Sequence, residues 1–116
     1  MLLEFLTIAF LSSGTNVIPY DAQICEKIAS GEIETQKFSN LENNQLILVA
    51  KKCSFTRVLS IREMNNLIKF YKILPSEAKF VFWIVMLSPS SNIVNLRNFK
   101  KISKEKMPIL SKETKI

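Results

Sequence analysis

The chain contains no histidine, and this absence removes a large share of ordinary enzyme chemistry. Histidine is the usual general base, the proton acceptor in Ser-His and Cys-His nucleophile pairs, and the commonest ligand of transition metals. Two glycines among 116 residues exclude a glycine-rich phosphate loop. They also disfavour an all-β chain, whose tight turns need the positive φ that glycine supplies. Two cysteines, Cys25 and Cys53, permit one disulfide; their spacing matches neither a zinc site nor a CxxC redox motif. One aspartate and nine glutamates remain for acid–base work. Glu26, Glu42, Glu63 and Glu77 fall near expected helix starts or on polar faces, the places of caps and solvated surface rather than of a convergent catalytic pair. The expectation is a protein that is not an enzyme, with no cofactor, no metal and no small-molecule substrate.

Long apolar runs are scarce as well. Phe80 to Leu87 is an unbroken apolar stretch of eight residues holding the sole tryptophan, Trp83. As a helix it rises about 12 Å, whereas crossing a hydrocarbon layer takes about 20 residues. Lys79 and Ser88 close it on either side, so it reads as a core element. Pro75 followed by Ser76 and Glu77 gives it the start of a helix over 76–88, although a buried strand also fits so short a run.

Length and composition place the chain in one globular domain with 22% charged residues. The reading is a mainly α fold, a small bundle of four to five helices around the 80–87 run. Helical spacing of Ala22, Ile24, Cys25, Ile28 and Ala29 after Pro19 predicts one helix, stopped at Ser30-Gly31. Ser60 and Glu63 form a capping box before Met64, Leu67, Ile68, Tyr71 and Leu74, which keep the i, i+3, i+4, i+7 spacing of a buried face. Pro75 separates that helix from the central run, which predicts an antiparallel helical hairpin. After Pro89, Ser91 or Asn92 can cap a helix with Ile93, Leu96, Phe99 and Ile102 on one face and basic residues on the other.

Residues 31–60 admit two readings. A Ser39-to-Glu42 capping box would start a helix sending Leu41, Leu48, Val49 and Cys53 to the core. The alternative is an α+β fold with a hairpin in 31–58, turning at Asn43-Asn44. That turn signal is weak and Leu46 to Ala50 does not alternate, so the helix is favoured.

Residues 1–14 have the outline of a secretory signal, an apolar Leu2–Leu11 stretch running into Ser12-Ser13-Gly14. No Lys or Arg precedes it and Glu4 interrupts it, so a buried first helix is the competing reading. With cleavage the protein is exported, periplasmic or secreted, and Cys25 and Cys53 are expected to pair. Without it the protein is cytoplasmic and both thiols stay free. The helical domain then covers 15–103, and 104–116 is expected to be a flexible basic tail.

Charge is the one feature that points to a partner. Residues 97–116 hold seven of the 16 Lys and Arg and two of the 10 Asp and Glu. Arg97, Lys100, Lys101, Lys104 and Lys106 could dock on an acidic protein, lie on an anionic membrane surface, or follow a nucleic-acid backbone. The leading expectation is a small binding protein recognising a protein partner, inhibitor- or immunity-like in outline. The alternatives are a peripheral membrane or nucleic-acid-binding protein using the basic segment, or a chain with no selected function.

Overall fold

The computed structural model describes residues 22–109. The signal-like segment 1–14 and the end of the basic tail, 110–116, lie outside the described residues. Five α-helices and one 3-10 turn follow in chain order: α1 (Ile24–Ser30), the turn Thr35–Phe38, α2 (Asn43–Ala50), α3 (Ile61–Lys72), α4 (Ser76–Leu87) and α5 (Ile93–Ser103). The fold is mainly α, and there is no strand among the described residues. The hairpin alternative for 31–58 is therefore corrected: the 3-10 turn and α2 occupy that stretch.

The α3 helix starts as its capping box prescribes. Ser60 Oγ accepts the Glu63 N–H at 3.1 Å and the Glu63 carboxylate accepts the Ser60 N–H at 2.8 Å. Each satisfies a backbone donor that the first helical turn leaves open. Met64, Leu67, Ile68, Phe70 and Tyr71 face the core. Gly31 ends α1 in the left-handed conformation (φ 87°), its N–H bonded to the Ile28 carbonyl, a position that suits glycine because it lacks a Cβ. Two expected boundaries shift. Ala22 is exposed in a turn ahead of α1. Ser39 does not cap α2; its hydroxyl donates to the Gln36 carbonyl at 2.7 Å. Glu42 is the N-cap instead, with its N–H bonded to Gln45 Oε1 at 2.9 Å. The reason lies one residue before Ser39. Phe38 is fully buried with its ring 5.2 Å from Phe70, edge to face, and the turn that places it there keeps the chain from entering a helix until Asn43.

The most extensive pairings skip a helix in sequence. The α4 helix packs along α2 and meets α5, while α3 packs on α1 and α5, so α3 and α4 do not form the expected antiparallel hairpin. They meet through rings: Tyr71 and Phe70 of α3 lie 5.3 and 6.5 Å from Phe82 of α4. Phe99 of α5 closes the cluster against Tyr71, Phe82 and Trp83. Burying an indole N–H needs a partner, and Trp83 donates to the Tyr71 hydroxyl at 2.8 Å. Desolvation pushes the Tyr71 phenol above its ordinary pKa.

Two covalent and polar fasteners hold the irregular 51–60 segment. Cys53, just after α2, is bonded to Cys25 of α1, and both side chains are buried. Asn95 of α5, a buried polar residue, spends both ends of its amide on this segment: Oδ1 accepts the Leu59 N–H and Nδ2 donates to the Arg57 carbonyl, each at 2.8 Å. Asn92 adds a bond from its N–H to the Phe55 carbonyl at 2.8 Å and one from Nδ2 to the Thr56 carbonyl at 3.2 Å. A loop without regular ladders thus has backbone groups of Phe55, Thr56, Arg57 and Leu59 met by Asn95 of α5 and by its N-cap, Asn92.

Arg57 emerges from this loop between Glu26 of α1 and Glu63 of α3, with Nη2–Oε distances of 2.8 and 2.7 Å. Its guanidinium holds the Glu63 carboxyl at about 2, first by hydrogen bonding, with the Ser60 N–H second. A carboxyl lowered from 4.5 stabilises the fold fully above its unfolded pKa, and the contribution is lost as pH falls through about 2. Because Arg57 is half exposed, the pair is screened and worth about 1 kcal/mol or less. Glu63→Gln keeps the capping geometry and removes the charge. Urea unfolding at pH 7 and pH 2 is therefore expected to show the parent losing more stability than the variant on acidification; equal losses would contradict the ion pair's role.

Candidate anionic-partner interface

The apolar run 80–87 is buried on one side only. Ala78, Phe82, Trp83 and Met86 face the core, while Ile84 and Leu87 are 46% and 48% exposed and Phe80 is half-buried. At 100° per residue Phe80, Ile84 and Leu87 share one stripe. Leu48 of α2, expected in the core, is also 48% exposed, because Leu46, Val49 and Ala50 form the packed face of that helix.

Beside the α4 stripe stands α5. Leu96 and Phe99 point into the core, so the opposite face of the helix must meet water. That face holds Arg97, Lys100 and Lys101, with Lys104 continuing the line at the C-cap, and all four are exposed. Ile93, expected on the buried side, lies on the same outer face and is exposed. Among the described residues, no ion pair joins Arg97, Lys100, Lys101, Lys104 or Lys106 to a carboxylate. The sequence-based grouping of cations on one side of α5 is therefore what the helix geometry presents. Lys100 Nζ lies 5.9 Å from the centre of the Trp83 ring, a distance at which the ring face attracts a cation.

Past α5 the chain reverses. Lys104 adopts the left-handed conformation (φ 59°) with its N–H bonded to the Lys100 carbonyl, and residues 105–107 return towards α4. Met107 packs against the core, and the exposed Lys106 comes alongside Leu87. An open groove of about 310 Å³ results, lined by Trp83, Leu87, Lys100, Glu105, Lys106 and Met107. Sequence reasoning assigned 104–116 to a tail and did not find this groove.

The larger open groove, about 640 Å³, runs between the α1–α2 connection and α3 and includes Glu34, Lys69 and Lys72 among its lining residues. Its charges are mixed, and Asn66 there is already bonded to the Ala29 carbonyl at 2.8 Å. No group of three acidic or cysteine side chains is placed to hold a metal among the described residues, and no helix there is long and apolar enough to cross a membrane. The chain matches no protein-family model, no curated protein and no solved structure.

Proposed function

We propose that the protein is a small, disulfide-stapled, non-enzymatic binding protein whose α5 face recognises an acidic protein surface. The observation that carries this reading is the row Arg97, Lys100, Lys101 and Lys104, exposed on one helix face and without ion pairs to carboxylates among the described residues. Like charges on a rigid helix repel one another, and an anionic partner relieves that repulsion while steering encounter. The buried Cys25–Cys53 pair supports an oxidising, exported setting.

Two other anionic partners differ in what supports them. Nucleic-acid readout by stacking needs exposed rings, whereas Phe99 and Trp83 beside the cations are buried. An anionic bilayer is the second reading, favoured by the exposed Leu87, which lines a groove with Lys100 and Lys106, and by the exposed Ile84 on the same α4 stripe.

Photo-crosslinking in the native host tests the proposal. A photoreactive residue at Lys101 is expected to capture an acidic protein that the same residue at Glu34, on the α1–α3 side, does not capture. Substituting Arg97→Glu, Lys101→Glu and Lys104→Glu together should weaken that binding at least tenfold at low salt without altering the helical content. Capture of lipid instead, or capture indifferent to the triple variant, would remove the acidic-protein reading.

A further inference from the structure

We propose that the groove between α4 and the returning 105–107 segment receives an apolar side chain from an acidic, amphipathic segment of the protein partner. The inference rests on the α5 reading above and adds what the partner must look like. Trp83, Leu87 and Met107 give the groove an apolar floor, and Lys100 and Lys106 stand on its walls, with Glu105 as the one lining acid among the described residues. About 310 Å³ of open space accommodates one large aliphatic or aromatic side chain.

Two requirements follow from this lining. Covering apolar floor is favourable in proportion to the area removed from water, so an occupant needs a hydrophobic anchor. Covering it with a neutral segment would also strip water from two ammonium groups without replacing their hydration, which is costly. Carboxylates flanking the anchor remove that cost. The exposed Ile84 and half-buried Phe80 continue the apolar surface along α4 from Leu87. A helical segment with apolar residues at i and i+3 or i+4 would cover both the groove and this stripe.

A bilayer is the poorer occupant. Membrane association uses side chains that protrude into the headgroup region, whereas Met107 is packed against the core and Trp83 is 2% exposed, recessed beneath Lys100. A recess suits an inserted knob.

Trp83 is the sole tryptophan and lines the groove, so its emission reports occupancy directly. The experiment is selection of random dodecapeptides on phage against the intact, oxidised protein, followed by fluorescence titration of the enriched peptides. Enriched sequences are expected to combine at least two Asp or Glu with apolar residues three or four apart, and to shift the Trp83 emission. Leu87→Gln, an uncharged change at an exposed position, should weaken the best peptide at least fivefold with the fold unaltered, and Met107→Gln, which loosens the packing that holds the groove wall, should weaken it at least as much. Peptides without acids, or peptides that bind both variants as they bind the parent, would overturn the groove. Loss of those same peptides in the R97E/K101E/K104E variant would leave the α5 reading standing alone; no enriched acidic peptide at all would overturn both. Phosphatidylglycerol vesicles that shift Trp83 emission and are not displaced by peptide would assign the surface to lipid and overturn the inference.

Discussion

Replacing Cys25 and Cys53 together by alanine is expected to lower the free energy of unfolding by about 3–4 kcal/mol. That is the loop-closure value for a crosslink between residues 28 positions apart. For a domain of this size it corresponds to a fall in Tm of about 15–25 °C. The effect should be felt first at α1. With seven residues, it is far below the length at which a helix holds in water on its own. Besides the disulfide, α1 is anchored among the described residues by the Asn66 bond to the Ala29 carbonyl, the exposed Glu26–Arg57 pair, and the packing of Ile24, Ile28 and Ala29. Hydrogen exchange should therefore show the α1 amides losing protection before those of α3 and α4 in the double variant, while circular dichroism at 20 °C stays close to the parent. Because both sulfurs are buried, a reductant added to the native protein should act slowly, at the rate at which α1 opens. A double variant within 1 kcal/mol of the parent would show that the packing of α1, and not the crosslink, holds the N-terminal side of the bundle.

How far the sequence foretold this arrangement depends on whether the deciding force was local. The capping box at Ser60 and Glu63 acts within one turn, and α3 begins where it predicts. The helix over 80–87 is legible for the same reason: Pro75 and Ser88 bound it, and both act locally. Where packing at a distance decides, local reading falls short. Ser39 and Glu42 satisfy the capping pattern, yet burial of Phe38 against Phe70 overrides it and moves the start of α2. Asn95 reads as one more polar residue on a helix, and nothing near it in sequence reveals that its amide bonds to Arg57 and Leu59, 38 and 36 positions away.

The binding surface divides along the same line. Arg97, Lys100, Lys101 and Lys104 recur at helical spacing, so their common face follows from the periodicity once Leu96 and Phe99 turn inward. The groove does not follow, because it requires the chain to reverse at Lys104. A lysine carries no turn signal comparable to glycine in the left-handed conformation, and the reversal is held by Met107 against the core. The eight-residue apolar run reads as a core element, and in α4 only one side of it is buried. It exceeds what one face of α4 can bury; the surplus is Ile84 and Leu87, and Leu87 is exposed beside Lys100 and Lys106.

Phe99→Ala is expected to cost about 3–5 kcal/mol, the range for removing a large buried ring whose cavity only partly collapses. Phe99 is fully buried, and its ring lies 5.0 Å from Tyr71, 5.2 Å from Trp83 and 5.5 Å from Phe82. These edge-on and tilted contacts tie α5 to both α3 and α4, so the loss falls on the joint that sets the basic face beside the α4 stripe. Against a total stability of about 5–15 kcal/mol, the variant should remain folded with a much lower urea midpoint and an unchanged slope. Its Trp83 emission should shift to the red as water reaches the indole. Phe99→Leu keeps most of the volume and loses the ring contacts, and is expected to cost about 1–2 kcal/mol. The pair separates two ways in which Phe99 could serve binding. If it acts by holding α5 against α4, groove occupancy should fall in F99A and recover largely in F99L, in step with stability. If F99L binds as weakly as F99A despite its recovered stability, the aromatic contact with Trp83 itself shapes the groove. A cost below about 1.5 kcal/mol for F99A would mean that the ring cluster collapses around the gap, and that α5 is held chiefly by Asn92 and Asn95.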